Sequence, residues 1–372
     1  MLFLLFCHAL MTPTICFDLE GPLSPQDNAY EVMKLIGPAG ARIFEAISRY
    51  DDLLALEGRP NYEPGDTLAL IVPFFLLHSI TDADIRAVSA RAKLVDGAAY
   101  LFKQLRADGW EIYIISTSYE QHAYHIGRQL GVPVDHVICT RLALTKQRQK
   151  LPEAFFSLIR AAEAELLKLD PALERAETDR LLKDLLDTLF FQQLPALGYE
   201  VFATQVIGGE RKAEAVRQIA RERGMAIREI IAVGDSITDF KMLREVAAHN
   251  GIAVVFNGNE YAVPYATVGL ASTDIRFLYL ICRAFTRGGK EAALALVTDW
   301  EANRDAFEAE PDRIPDELIT PDLRDFLTAQ RAAKPAPYFH LLERADESMR
   351  GEALRIHKRF RMLVREDAGK LG

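Results

Sequence analysis

Cysteine is scarce. The chain holds only Cys7, Cys16, Cys139 and Cys282, with no C-x-x-C pair and no histidines at zinc-site spacing, which excludes a disulfide framework and a cysteine zinc centre. An excess of positive charge is also missing. Lys plus Arg number 44 against 53 Asp plus Glu, a net charge of −9 with a pI near 5.5. Nucleic acid is therefore not expected as a partner. Long apolar runs are absent too. The N-terminal MLFLLFCHAL extends for about ten residues, against the ~20 needed to cross a bilayer, and has no preceding positive charges. A reduced, cytoplasmic setting without a membrane anchor is expected. Met11 directly precedes the first strand-like run, so Met1 to Leu10 reads either as an upstream extension or as a dispensable segment.

What is present is enough apolar material for real cores. The 372 residues, 49% of them hydrophobic, suit two domains or one large domain with insertions. No internal repeat or low-complexity tract interrupts them. Short apolar, β-branched runs recur at Thr14 to Phe17, Glu111 to Ile115, Val134 to Cys139, Glu229 to Val233 and Ile252 to Phe256, as buried parallel strands do. Amphipathic stretches precede two of them, Gly97 to Ala107 and Lys212 to Arg223, each closed by a glycine, Gly109 or Gly224. Alternating strand and helix predict an α/β fold built on a doubly wound parallel sheet.

Four parts follow from this pattern. The sheet core takes residues 12–26, 93–145 and 198–273. Residues 27–92, largely helical and broken at Gly37-Pro38, Arg59-Pro60 and Pro64-Gly65, read as an inserted cap. Residues 146–197 carry leucines at helical spacing on both sides of Asp170-Pro171 and read as a helical insertion packed as a hairpin. Residues 274–372, charged and cut by five prolines from Pro311 to Pro337, read as a helical C-terminal extension with an accessory or oligomerisation role.

In an open parallel sheet the ligand crevice lies beyond the carboxyl ends of the strands. The polar residues in those places are Asp18 and Glu20 before Gly21-Pro22, then Ser116-Thr117-Ser118, then Lys212 at a helix start, then Gly234-Asp235-Ser236-Ile237-Thr238-Asp239. Taken singly, each has an ordinary reading as turn or cap chemistry. Together they assemble more. Two carboxylates at one strand end divide nucleophilic and proton-transfer work, hydroxyls at a turn favour a bound anion, and a cation at a helix N-terminus opposes the helix dipole. Two acids four residues apart supply hard oxygen donors suited to Mg²⁺.

This order, with the stretches FDLEGPL, IISTSYE and GDSITDFKML, resembles the haloacid dehalogenase (HAD) superfamily of phosphohydrolases over roughly Thr12 to Thr273. Within it the likeness is greatest to the phosphoserine phosphatase group, in the branch with a D-x-E first motif, which includes a homoserine phosphotransferase activity. A D-x-E motif also occurs in the enolase-phosphatase branch, and a fainter likeness runs to archaeal HAD proteins named as a hydrogenase subunit, from which no activity is carried over.

The resemblance implies a Mg²⁺-dependent phosphatase acting on a small phosphorylated metabolite through an aspartyl-phosphate. Asp18 would be the nucleophile and Glu20 the proton donor and acceptor. Ser116 would bind phosphoryl oxygens, and Lys212 would neutralise charge. The metal would be held by Asp18, Asp235, Asp239 and the Glu20 carbonyl, with Asp239 acting through water or through Lys212. Thr117 and Ser118 would assist in substrate binding. Arg42, Arg49, Arg59 and Tyr62 lie near loops that could face the crevice and read either as substrate contacts, Arg49 and Arg59 foremost, or as surface and cap-packing residues. The Glu and Arg pair that reads phosphoserine in typical members of the group has no evident counterpart. Transfer to an alcohol acceptor, or an idle subunit assembling through its helical insertion or C-terminal extension, as in a homo-oligomer, are the alternatives. A phosphoacceptor receiver domain is disfavoured because its acidic pair and lysine run in the opposite order.

Overall fold

The computed structural model describes residues 12–149, 151–169, 175–330 and 333–370. The expectations about Met1, Met11 and Asp170-Pro171 fall outside them. Among the described residues seven strands form one sheet: β1 (Thr14–Phe17), β2 (Glu111–Tyr119), β3 (Val137–Thr140), β4 (Ile230–Gly234), β5 (Ile252–Phe256), β6 (Val268–Ala271) and β7 (Tyr338–His340). Their order is β3-β2-β1-β4-β5-β6-β7, parallel throughout except that β7 pairs antiparallel with β6. The doubly wound sheet predicted from the pattern is present. Its winding reverses between β1 and β4, where Phe17 lies opposite both Ile114 and Val233. The residues just beyond β1 and β4 therefore flank the switch-point crevice.

Alternation along the strands fills both faces. Ile15 and Phe17, Ile112 and Ile114, Ile231 and Val233 enter one apolar cluster. Cys16, Tyr113 and Ile115, Ile230 and Ala232 enter the cluster on the other face, as a period of two requires. The longer helices are α1 (Pro38–Glu57), α2 (Ala98–Ala107), α3 (Glu120–Leu130), α4 (Glu153–Lys168), α5 (Arg175–Thr188), α6 (Glu210–Arg223), α7 (Phe240–Ala248), α8 (Leu278–Ala309) and α9 (Glu347–Arg365).

Several details differ from the sequence expectation. Val134–His136 is a 3-10 turn, so β3 begins at Val137. β2 continues through Ser116-Thr117-Ser118 to Tyr119, with irregular pairing between Ser116 and Tyr119, so the three hydroxyls end a strand instead of following it. The two inserted helical stretches share a single apolar cluster that joins Ile43, Phe44 and Ile47 to Phe155, Ile159, Leu186 and Phe190. Polar ties reinforce that packing: Arg49 is bidentate to Asp179 at 2.9 and 2.5 Å, and Asp187 accepts from Arg59, Tyr50 and Lys183. No single described helix is long and apolar enough to cross a membrane. The pair Thr67–Leu77 and Asp82–Ser89, which passes by length and composition, bends by 117°.

The C-terminal segment is more than a helical extension. α8 breaks at Gly288 and at Gly289, whose φ is +66°, and its second half inserts Trp300, fully buried. The indole N–H donates to the Pro337 carbonyl at 3.1 Å, and the ring meets Phe307 and Phe339 at 5.4 and 5.3 Å between centroids. Phe339 belongs to β7, opposite Leu270 of β6. The sheet core thus closes with residues more than sixty positions beyond β6. Trp300→Ala should lower stability by about 3–5 kcal/mol, the cost of truncating a large buried aromatic residue, read from the midpoint of chemical denaturation. A change under about 0.5 kcal/mol, typical of surface positions, would show that α8 does not share the core.

Candidate active site at the switch point

Asp18 follows β1 and is 4% exposed. Its backbone N–H donates to the Val233 carbonyl at 2.8 Å, which continues the ladder by one residue and fixes the carboxylate at the crevice. Glu20 and Gly21 turn the chain back, with Gly21 N–H bonded to the Ser24 carbonyl at 2.8 Å. Gly21 has φ +112°, and a Cβ there would stand 2.3 Å from Oδ2 of Asp235. The position thus needs glycine for its backbone angle and for the carboxylate packed against it.

Lys212, in the first turn of α6, is completely buried. Its ammonium donates to Asp18 Oδ1 at 2.5 Å and to Asp239 Oδ1 at 2.7 Å. Burial opposes the charge, but the two carboxylates outweigh it and push the lysine pKa above its ordinary value. Asp239 turns its other oxygen, Oδ2, to the backbone N–H groups of Asp235 and Ser236 at 2.9 and 3.1 Å, closing the turn after β4. A Cβ on Gly234 would lie 2.6 Å from Cβ of Asp239, so the turn tolerates no side chain there.

Asp18, Asp235 and Asp239 each offer an oxygen within 4.8 Å of the others. Oδ1 of Asp235 is buried without a hydrogen-bond partner, and buried polar atoms seldom remain so. Three hard carboxylates, one of them with an unsatisfied oxygen, fit a divalent cation such as Mg²⁺. The Glu20 side chain is not part of that group.

Glu20 faces a different environment. Its Oε1 accepts from the Asn28 N–H at 2.9 Å and lies 3.8 Å from Nε2 of His122. Burial, with Asp27 adding like charge, pushes the Glu20 pKa up to about 8. Burial and Asp239 push Asp18 up to about 7, Lys212 pulling the other way. His122 is fully buried in the first turn of α3, and burial depresses its pKa to about 3, so a neutral imidazole stands beside Glu20. Its only sequence signal is its place one turn beyond β2, where the sheet edge already gathers the other groups.

A cavity of about 90 Å³ opens beside Asp18 and Glu20. Asp18, Glu20, Thr117, Asp51, Thr238 and the two arginines Arg361 and Arg365 are on its wall. Ser116 is completely buried, and its Oγ accepts from the Ser118 N–H at 3.1 Å. The hydroxyl oxygens of Thr117 and Ser118 are buried without partners. Arg49 lines a neighbouring cavity of about 340 Å³ while bound to Asp179. Arg59 points instead to Asp187 and over the Phe191 ring at 3.6 Å, and Arg42 donates to the Leu167 carbonyl. Tyr62 donates to Asp51 at 2.5 Å, and Asp51 also accepts from the Gly65 and Thr67 N–H groups, which shapes the loop over the cavity. That loop is strapped to the sheet side by Glu63 with Lys241 at 2.8 Å and by Asp66 with Arg211 at 2.7 Å.

Residues 15–181 match the haloacid dehalogenase-like hydrolase family. The stretch contains Asp18, Glu20 and Ser116 and ends before Lys212. Among solved structures the chain is similar to gene product AF1437 from Archaeoglobus fulgidus, at 26% identity over 97% of this chain and 99% of that one, with a TM-score of 0.77. A phospho-aspartyl intermediate analogue of phosphoserine phosphatase aligns at 16% identity over 72% and 97%, with a TM-score of 0.46. A HAD family hydrolase from Salmonella enterica serovar Typhi aligns at 14% over 67% and 64%, with a TM-score of 0.41. No curated protein matches the sequence.

Removing Lys212 leaves Asp18 and Asp239 facing each other without their shared cation. Lys212→Met should cost about 3–5 kcal/mol near pH 8, as breaking one side of a buried ion pair does. The loss should shrink as pH falls. Asp18 titrates near 7 even beside the lysine and higher without it, so the folded variant binds more protons than the unfolded chain above pH ~4, and its stability declines as pH rises. Urea denaturation at pH 5.5 and pH 8 checks both the size and the sign.

Proposed function

We propose, from the match of residues 15–181 to the haloacid dehalogenase-like hydrolase family, that the protein is a Mg²⁺-dependent phosphatase hydrolysing a small phosphomonoester through a phosphorylated Asp18. The observation that carries this reading is the buried Asp18–Lys212–Asp239 ion triad, whose Asp18 shares one cavity wall with Glu20. It supplies one carboxylate tied to a cation and a second without one.

Those environments divide the labour. Lys212 favours the ionised form of Asp18, while Glu20 has no cation in hydrogen-bond contact and its pKa is raised to about 8, so at neutral pH the proton resides on Glu20. Asp18 attacks phosphorus, forming an acyl phosphate and expelling the alkoxide, to which Glu20 gives its proton. Glu20, now ionised, takes a proton from a water molecule that attacks the same phosphorus. The Asp18–phosphate bond breaks, inorganic phosphate leaves, and both carboxyl groups return to their starting states. Lys212 offsets charge on Asp18 and on the phosphoryl oxygens, and Thr117 offers a hydroxyl on the cavity wall. Asp18 and Asp235, with the Glu20 carbonyl, would hold Mg²⁺. When bound, the ion keeps Asp18 ionised and spreads the charge of the transferring group.

The small cavity supports a small substrate. About 90 Å³ is well below the ~300–1,000 Å³ of common ligand pockets, a size suited to a phosphoryl group and a short leaving group. Phosphoserine-like and other short phosphomonoesters belong in this class.

Hydrolysis of an aryl phosphate and of a panel of short phosphomonoesters with Mg²⁺ tests the reading. Wild type should release inorganic phosphate, and Asp18→Asn should be inert. Equal inactivity of both across metals and pH would sink the proposal. Glu20→Gln should lose about 10²–10⁴-fold in kcat/KM, the usual contribution of a positioned proton donor. Wild-type kcat/KM should fall as pH rises through the Glu20 pKa, at or below about 8, because the general acid must be protonated. That limb should be missing from the pH profile of Glu20→Gln.

A further inference from the structure

α9 delivers two guanidinium groups to the catalytic cavity, a feature with no place in the proton-transfer steps above. Arg361 and Arg365, one turn apart, are 3% and 8% exposed. Both converge on Oδ2 of Asp235. Arg361 makes a short ion pair to it, and Arg365 lies at 3.0 Å. Neither is a loose arm. Arg361 Nε donates to the Gly369 carbonyl at 3.1 Å and Arg365 Nε to the Pro25 carbonyl at 3.3 Å. The helix behind them is fixed by Gly258 N–H donating to His357 Nδ1 at 3.1 Å. It is also fixed by close packing on β6, where a Cβ at Gly269 would meet His357 Nε2 at 2.6 Å.

The consequence is a division of Asp235. Oδ2 is held by two fixed cations, and Oδ1 is buried and without a partner. Lys212 serves the other two acids of the cluster, so every carboxylate in it already has a positive charge beside it. A divalent cation at Oδ1 gains one oxygen donor but is repelled by the two guanidinium groups across the same carboxylate, strongly so in a site shielded from water. A phosphoryl dianion in the cavity is attracted by those same groups, whose presence on the cavity wall brings them into range.

We propose that Arg361 and Arg365 are positioning residues that make cation binding conditional on a phosphoryl anion: they orient Asp235 and hold its charge in balance until the anion offsets theirs. This rests on the phosphatase reading of the site. By linkage, the anion and the cation then strengthen each other by the same factor.

The test is calorimetric titration of full-length, metal-free protein with Mg²⁺, with and without inorganic phosphate. In wild type, phosphate should tighten Mg²⁺ binding by about tenfold or more, within the usual range for coupled sites. In Arg365→Met and Arg361→Met, Mg²⁺ alone should bind about tenfold or more tighter, with the effect of phosphate falling to about threefold or less. Arg365→Lys, which keeps the charge, should restore the wild-type pattern, as a loss of packing alone would not. If a methionine variant fails to fold, Arg365→Gln carries the comparison. The inference is overturned if wild type shows no coupling, or if the neutral variants bind Mg²⁺ no more tightly and keep the coupling. An active phosphatase with uncoupled binding rejects this inference alone. Coupled binding without turnover of any phosphomonoester supports it and rejects the phosphatase reading.

Discussion

The site depends on one buried ammonium group. Lys212 reaches Asp18 after β1 and Asp239 at the start of α7 in the same contact, 194 and 27 positions away in the chain, so three distant parts of the chain meet at one charge. A fully buried lysine is tolerable only when its charge is matched, and here it is matched twice. The arrangement also decides the chemistry available at the sheet edge. The lysine favours the ionised form of the carboxylate that shares it, Asp18, while Glu20, away from the lysine, is pushed by burial toward its protonated form.

Much of this was legible because strand ends are marked by sharp changes from apolar to polar residues. Asp18, Glu20, Lys212, Asp235 and Asp239 all stood directly after apolar runs or at helix starts, and a doubly wound sheet has one edge where such residues gather. β6 and β7 were not legible. Val-Gly-Leu-Ala has a glycine and four residues, and Tyr338–His340 has three residues behind prolines, too short for alternation to register. The two inserted helical stretches read as separate units since periodicity reports that a face is apolar and not what covers it. Their common core rests on contacts such as Ile47 and Phe155 sharing one cluster.

Arg361 and Arg365 were hidden for a different reason. In RIHKRFRMLVR they are two among several basic residues on an amphipathic helix, and a charged helix ordinarily presents such residues to water. Only the packing of α9 across β6 turns that particular face inward. The C-terminal segment, expected as an appendage, thus contributes to the sheet core through Trp300 of α8 and to the candidate site through α9.

A consequence concerns how the polypeptide reaches its native state. Many metal sites are assembled from acids that repel one another until the ion arrives, so that the ion is a folding partner. In this chain the three clustered acids are each matched by a side chain of the protein itself. Self-assembly does not have to wait for a cation, because the charge of the cluster is already balanced within the chain.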